Sequence, residues 1–168
     1  YLDSAATTFQ KPPTVARAMT EALSTMSSPG RGGHPLAMRA ADTAFRCRSE
    51  LAALFNMKEP ERVVFTTNAT HGLNIAIKSL EHNPVTRPLA ALGADISAAD
   101  APPFDRETAV AAFERLIVPG IDAVICNHVS NVLGCIQPIE AVAELCRDRG
   151  VPLIVDASQS AGILPLDM

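Results

Sequence analysis

The chain has 168 residues, 48% hydrophobic and 19% charged, with mean hydropathy +0.16; this supports a substantial core and excludes a disordered tail. No uncharged apolar run reaches the ~20 residues of a membrane-spanning helix, so no membrane partner is expected. Fourteen basic against eighteen acidic residues leave a net charge of −4, and 4% aromatics without Trp offer no stacking surface, which argues against a nucleic-acid partner.

Pro12-Pro13 followed by Val15, Ala18, Met19, Ala22, Leu23 and Met26 sets one apolar stripe and predicts a helix opened by proline. Ser27–Gly33 breaks it as a glycine-rich loop, and Leu36–Phe55 reads as a long Ala-rich helix. Arg62–Thr67 predicts a short strand, and Asn68-Ala69-Thr70 leads into a helix reaching about Leu80. Helices are expected around Val85–Leu92 and Asp105–Ile117. Asp122–Cys126 then predicts a buried strand. Pro138–Arg149 predicts a helix closed by Gly150, and Val151–Val155 a second buried strand ending in Asp156. Alternating helices and continuous apolar strands predict an α/β fold, three-layer α/β/α with a mainly parallel sheet covered on both faces.

Ligands of such sheets sit beyond the carboxyl ends of the strands, so the chemistry is sought in the residues that follow each strand. Thr66–Gly72 joins a strand end to a helix start and suits either an N-cap at Asn68 or Thr70 or an anion held on free backbone N–H groups. Asp156 ends an otherwise apolar strand, where a carboxylate requires a partner or serves as a cap. Gln159 lies three residues on, and Asn131 follows the preceding strand. His82 lies in the loop-like Glu81-His82-Asn83-Pro84; a lone His is usually structural, as holds for His34 and His71.

Cys47, Cys126, Cys135 and Cys146 show no paired metal-ligand spacing, so no metal is expected. Three fall in helices or a strand and suit small buried hydrophobes, while Cys135 alone has a turn context. No leader-like run is evident at Tyr1-Leu2-Asp3, and reduced thiols with a cytoplasmic location are expected. An anion-holding helix start, a strand-end carboxylate, an amide and a His together match the needs of pyridoxal 5'-phosphate. That cofactor wants donors for its phosphate, a carboxylate for its ring nitrogen and a flat cover for its ring.

Six segments in order resemble the cysteine desulfurase branch of the class V aminotransferases, enzymes of the pyridoxal-phosphate transferase type I fold. They are Tyr1–Thr8, Pro29–His34, Thr67–Thr70, Glu81–Asn83, Asn127–Gly134 and Val155–Gly162. The resemblance implies that Ala69 and Thr70 bind the phosphate and that His82 stacks on the ring as the catalytic His. It further implies that Asp156 pairs with the ring nitrogen and Gln159 with the ring oxygen. Asn131 lies between cofactor and substrate, and His34 belongs to the substrate-side loop. Residues 1–34 are accordingly read as an N-terminal segment with that loop, and 35–168 as part of the cofactor-binding large domain. The implied reaction removes sulfur from L-cysteine, giving alanine and an enzyme persulfide, in a homodimer with a sulfur-acceptor protein. A selenocysteine lyase, an aminotransferase or a non-catalytic scaffold are the alternatives.

Two departures shape further expectations. Lys11, Lys58 and Lys78 are the only lysines, and none follows Asp156, where relatives carry the cofactor lysine. The 168 residues are therefore expected to be an incomplete record, continuing after Met168 and inactive alone. A predicted helix also abuts Glu81-His82 where relatives insert a turn and a strand, so residues are expected to be missing between Leu80 and Glu81.

Overall fold

The computed structural model describes Ser4 and residues 7–30, 32–79 and 95–168. The helix expected over Val85–Leu92, the Leu80–Glu81 junction and His82 lie outside the described residues. The chain divides into two compact units, Tyr1–Val64 with Leu164–Met168, and Phe65–Ile163.

The first unit is built on α1 (Pro13–Thr25) and α2 (Pro35–Leu54), which pack together. Both begin with proline, whose fixed φ suits a first turn where its missing N–H is not needed. The apolar stripe of α1 forms as its spacing predicts, yet Met19 and Leu23 on it stay 66% and 89% exposed. In α2 the small Ala37 and Ala52 are buried, which lets backbones approach closely. The terminal segment docks on the end of α2: Met168 N–H donates to Phe55 O at 3.1 Å and Asn56 Nδ2 to Asp167 Oδ1 at 2.8 Å.

The strand expected over Arg62–Thr67 is not formed. Pro60–Arg62 makes a single 3-10 turn instead, and no ladder with a described residue follows it. A strand exists through hydrogen bonds to its neighbours, and apolar content alone does not supply them. Val64 and Phe65 remain exposed.

The second unit runs α3 (Ala69–Ser79), α4 (Arg106–Leu116), β1 (Val124–Asn127), α5 (Ile139–Arg149), β2 (Leu153–Asp156). Among the described residues the sheet has two strands, parallel, with Val124 opposite Leu153 and Asn127 opposite Asp156. Parallel neighbours need a crossover, and α5 provides it. Ile139, Val142 and Cys146 form its buried stripe, and Val142 and Cys146 close with Val124 and Ile117 into one apolar cluster. Full burial of a side chain such as Val142 contributes about 1.5–3 kcal/mol. The expectation of cover on both faces holds only in part. Along β1, Val124 and Cys126 are buried, whereas Ile125 and Asn127 on the alternate face are exposed.

Side-chain and backbone devices set the helix limits. Asp105 caps α4, its carboxylate accepting from Thr108 N–H at 3.0 Å and Thr108 Oγ1 at 2.7 Å, and the Thr108 backbone bond holds its pKa below the ordinary value. At the far end Arg149 Nη1 donates to Glu114 O and Ile117 O at 2.6 and 2.7 Å, tying α5 to α4. Gly150 then ends α5 in the left-handed region at φ 67°, as expected from its place in the sequence.

No atom lies within 4 Å of where a Gly150 side chain would begin, so substitution there tests backbone conformation alone. Gly150→Ala is expected to destabilise the fold by about 1–2 kcal/mol, the ordinary cost of a left-handed L-residue, read as a lower urea midpoint at unchanged slope.

Candidate active site

The last rung of the ladder sets the site. Asn127 and Asp156 face each other where both strands end, and His128 N–H donates to Asp156 O at 2.9 Å one residue beyond. The half-buried Asp156 carboxylate is held on one side only: Oδ1 accepts from Ser158 N–H at 2.9 Å and Ser158 Oγ at 2.5 Å. Oδ2 has no partner among the described residues. A carboxylate fixed through one oxygen presents the other in a defined direction. Gln159 is half-buried in the turn that follows.

Beyond β1 the chain makes a short reversal closed by a bridge between Val129 and Ile136. Ser130 organises it, its Oγ accepting from Val132 and Leu133 N–H at 3.3 and 3.2 Å, while Gly134 N–H donates to Ser130 O at 2.9 Å. Gly134 has φ 70°, which closes the turn without strain. Asn131 sits exposed at its start.

The third element is the start of α3, which packs against β2. Asn68 caps it: Oδ1 accepts from His71 N–H at 2.8 Å, and Asn68 O accepts the first intrahelical bond from Gly72 at 3.1 Å. The N–H groups of Ala69 and Thr70 precede those bonds and are unmatched among the described residues. Both readings of this loop are therefore present together, a cap and two free donors. His71 turns back to Thr67 Oγ1 at 3.0 Å.

His34 lies in the first unit, where it is the N-cap of α2, its Nδ1 accepting from Ala37 N–H at 3.4 Å. Asp156, Gln159 and Asn131 share the carboxyl end of the β1–β2 pair, and Ala69 and Thr70 begin a helix that touches β2. Sequence reasoning passed over His128 and Ser160, buried at 3% and 0% exposure and joined by His128 Nδ1 and Ser160 Oγ at 2.9 Å. The signal available was a His directly behind a buried strand, which needs a polar partner.

The thiols divide differently from expectation. Cys126, Cys135 and Cys146 are buried, but Cys47 is exposed on α2. Burial pushes the Cys126 thiol up to about 11, with Cys146 beside it adding to the effect, and burial raises Cys146 likewise. Neither is a thiolate near neutrality. No group of three or more metal-ligating side chains occurs among the described residues.

The family model "Aminotransferase class-V" matches residues 1–91 and 89–168. The chain belongs to the class-V aminotransferase family. It is 32% identical to a protein named "Probable cysteine desulfurase" from Synechocystis sp., covering all of this chain and 44% of that protein. It is also 32% identical to "Cysteine desulfurase IscS" of Serratia proteamaculans, covering 46% of it, so the chain spans less than half of these relatives. The apo cysteine desulfurase of Thermococcus onnurineus NA1 superposes on 99% of the chain with TM-score 0.83 at 28% identity, covering 46% of that structure. SspA, solved in complex with cysteine, shares the fold at TM-score 0.77 and 24% identity over 99% of the chain and 53% of its own. These superpositions bear out the fold class, α/β with a parallel sheet in a partial domain of the pyridoxal-phosphate transferase type. The Synechocystis match runs over 196 positions against the 168 residues here, so that relative carries residues within the matched region that this chain does not.

Under native conditions near pH ~8, iodoacetamide is expected to modify Cys47 alone, with the other three thiols reacting only in denaturant; peptide mass mapping reads this directly. Because the folded state holds the Cys126 proton more tightly than the unfolded chain, the stability this gives is present below 9.0 and lost as pH rises toward about 11.

Proposed function

We propose that the chain supplies part of the pyridoxal 5'-phosphate site of a cysteine desulfurase, which takes sulfur from L-cysteine and leaves alanine. The observation that carries this reading is Asp156: a strand-end carboxylate anchored through Oδ1 by Ser158, with Oδ2 unpartnered among the described residues. The desulfurase names of the relatives and the match along the whole chain support it.

The residues fit the cofactor's chemistry. When bound, pyridoxal phosphate supplies an electron sink for the electrons of a broken substrate bond. Asp156 Oδ2 holds the proton on the ring nitrogen, and Ser158 keeps the carboxylate from rotating away. The free N–H groups of Ala69 and Thr70, with the Thr70 hydroxyl, bind the phosphate at the helix start, where the dipole favours an anion. Gln159 donates its amide to the ring oxygen, and Asn131 stands between cofactor and substrate. By the family resemblance, His82 would cover the ring and move a proton, and His34 would belong to the substrate-side loop. A homodimer, a sulfur-acceptor protein and a cytoplasmic location belong to the same proposal.

In the protein that carries this chain, Asp156→Asn or Asp156→Ala is expected to lower alanine formation from L-cysteine about 10²-fold or more with a much smaller loss of bound cofactor. Near-normal turnover in either variant would overturn the role given to Asp156. None of Lys11, Lys58 and Lys78 follows Asp156, and the purified 168 residues alone are expected to form no alanine. Alanine formation by them would overturn that part of the reading.

A further inference from the structure

Beyond the Asn127–Asp156 rung the hydrogen-bond ladder stops and two loops begin, one carrying Asn131 and the other Gln159. What joins them is His128 and Ser160. The His128 backbone is engaged on both sides, N–H to Asp156 O at 2.9 Å and O from Gln137 N–H at 2.8 Å. Its ring crosses from the β1 loop to the β2 turn and meets Ser160 Oγ at 2.9 Å, while that hydroxyl also lies 3.4 Å from Ala157 O. Both side chains are buried, at 3% and 0% exposure. The bond between Nδ1 and Oγ, whose donor is set by the imidazole tautomer, spans the two loops. Breaking it strands a buried polar group, which makes the joined arrangement strongly preferred.

We propose that His128 and Ser160 are a positioning pair that fixes the Asn131 loop against the Asp156–Gln159 turn, and so sets the ring end of the cofactor site. The pair acts through Asn131, three residues after His128, and Gln159, the neighbour of Ser160. The second half of the proposal rests on reading those residues as cofactor contacts. The phosphate end, at Ala69 and Thr70, does not depend on the pair.

The test uses two variants that break the bond, Ser160→Ala and His128→Gln, and one that keeps it. In His128→Asn the side-chain amide nitrogen occupies the place of Nδ1, whereas the Gln amide reaches past it. Amide hydrogen exchange is followed by mass spectrometry, with binding of pyridoxal phosphate and of inorganic phosphate, in the protein that carries this chain. In both breaking variants, exchange is expected to rise about tenfold over residues 129–134 and 157–163 together, with α5 unchanged. Pyridoxal phosphate affinity should fall about tenfold with inorganic phosphate affinity unchanged, and His128→Asn should restore most of both. Faster exchange in only one of the loops would overturn the pairing, as would a uniform rise that includes α5. Equal loss of affinity for the two ligands would overturn the link to the ring end. If the unsubstituted protein binds no pyridoxal phosphate while both loops loosen together, the pairing stands and the cofactor reading falls.

Discussion

Parallel pairing of β1 with β2, in the register that sets Asn127 opposite Asp156, is the constraint on which the site depends. A parallel ladder ends with all its strands pointing the same way, so the residues that leave it necessarily enter one region of space. A slip of one residue would send Asp156 to the other face of the sheet and its carboxylate with it. The apolar cluster of Val124, Val142, Cys146 and Ile117 guards that register, because moving β1 along β2 would pull Val124 out of its packing. The geometry at the strand ends is thus secured by packing lower down.

The polar groups near the strand ends follow one logic. Every buried side-chain polar atom among the described residues has a partner, and the groups left unmatched lie where a ligand could meet them. Ser158 occupies one carboxylate oxygen and not the other; Asn68 occupies one amide of the helix start and leaves the two before it. By contrast burial keeps the Cys126 and Cys146 thiols protonated and chemically quiet. Selective satisfaction separates a site from a merely solvated surface.

Much of this was legible in the residues themselves. Periodicity located α1, α2, α4 and α5 to within a residue or two, because each carries a proline start, a capping side chain or a closing glycine. Asp156 was visible as a charge at the end of an apolar run. The strand over Arg62–Thr67 was misread because pairing is a property of two segments and composition describes only one. Cys47 was misassigned since helical spacing does not reveal which helix face is covered. His128 and Ser160 stand 32 positions apart and meet only across the ladder, a relation that local pattern cannot express. Family resemblance assigned roles to site residues; the geometry adds what holds Asp156 and Asn131 in place.

The crossover also has a consequence for how the chain folds. Partners on β1 and β2 stand 29 positions apart in the sequence, as Val124 and Leu153 do, so no tight turn can bring them together. The loop has to close before the ladder rewards it, which makes the formation of α5 a condition for the pairing and slows it relative to a hairpin.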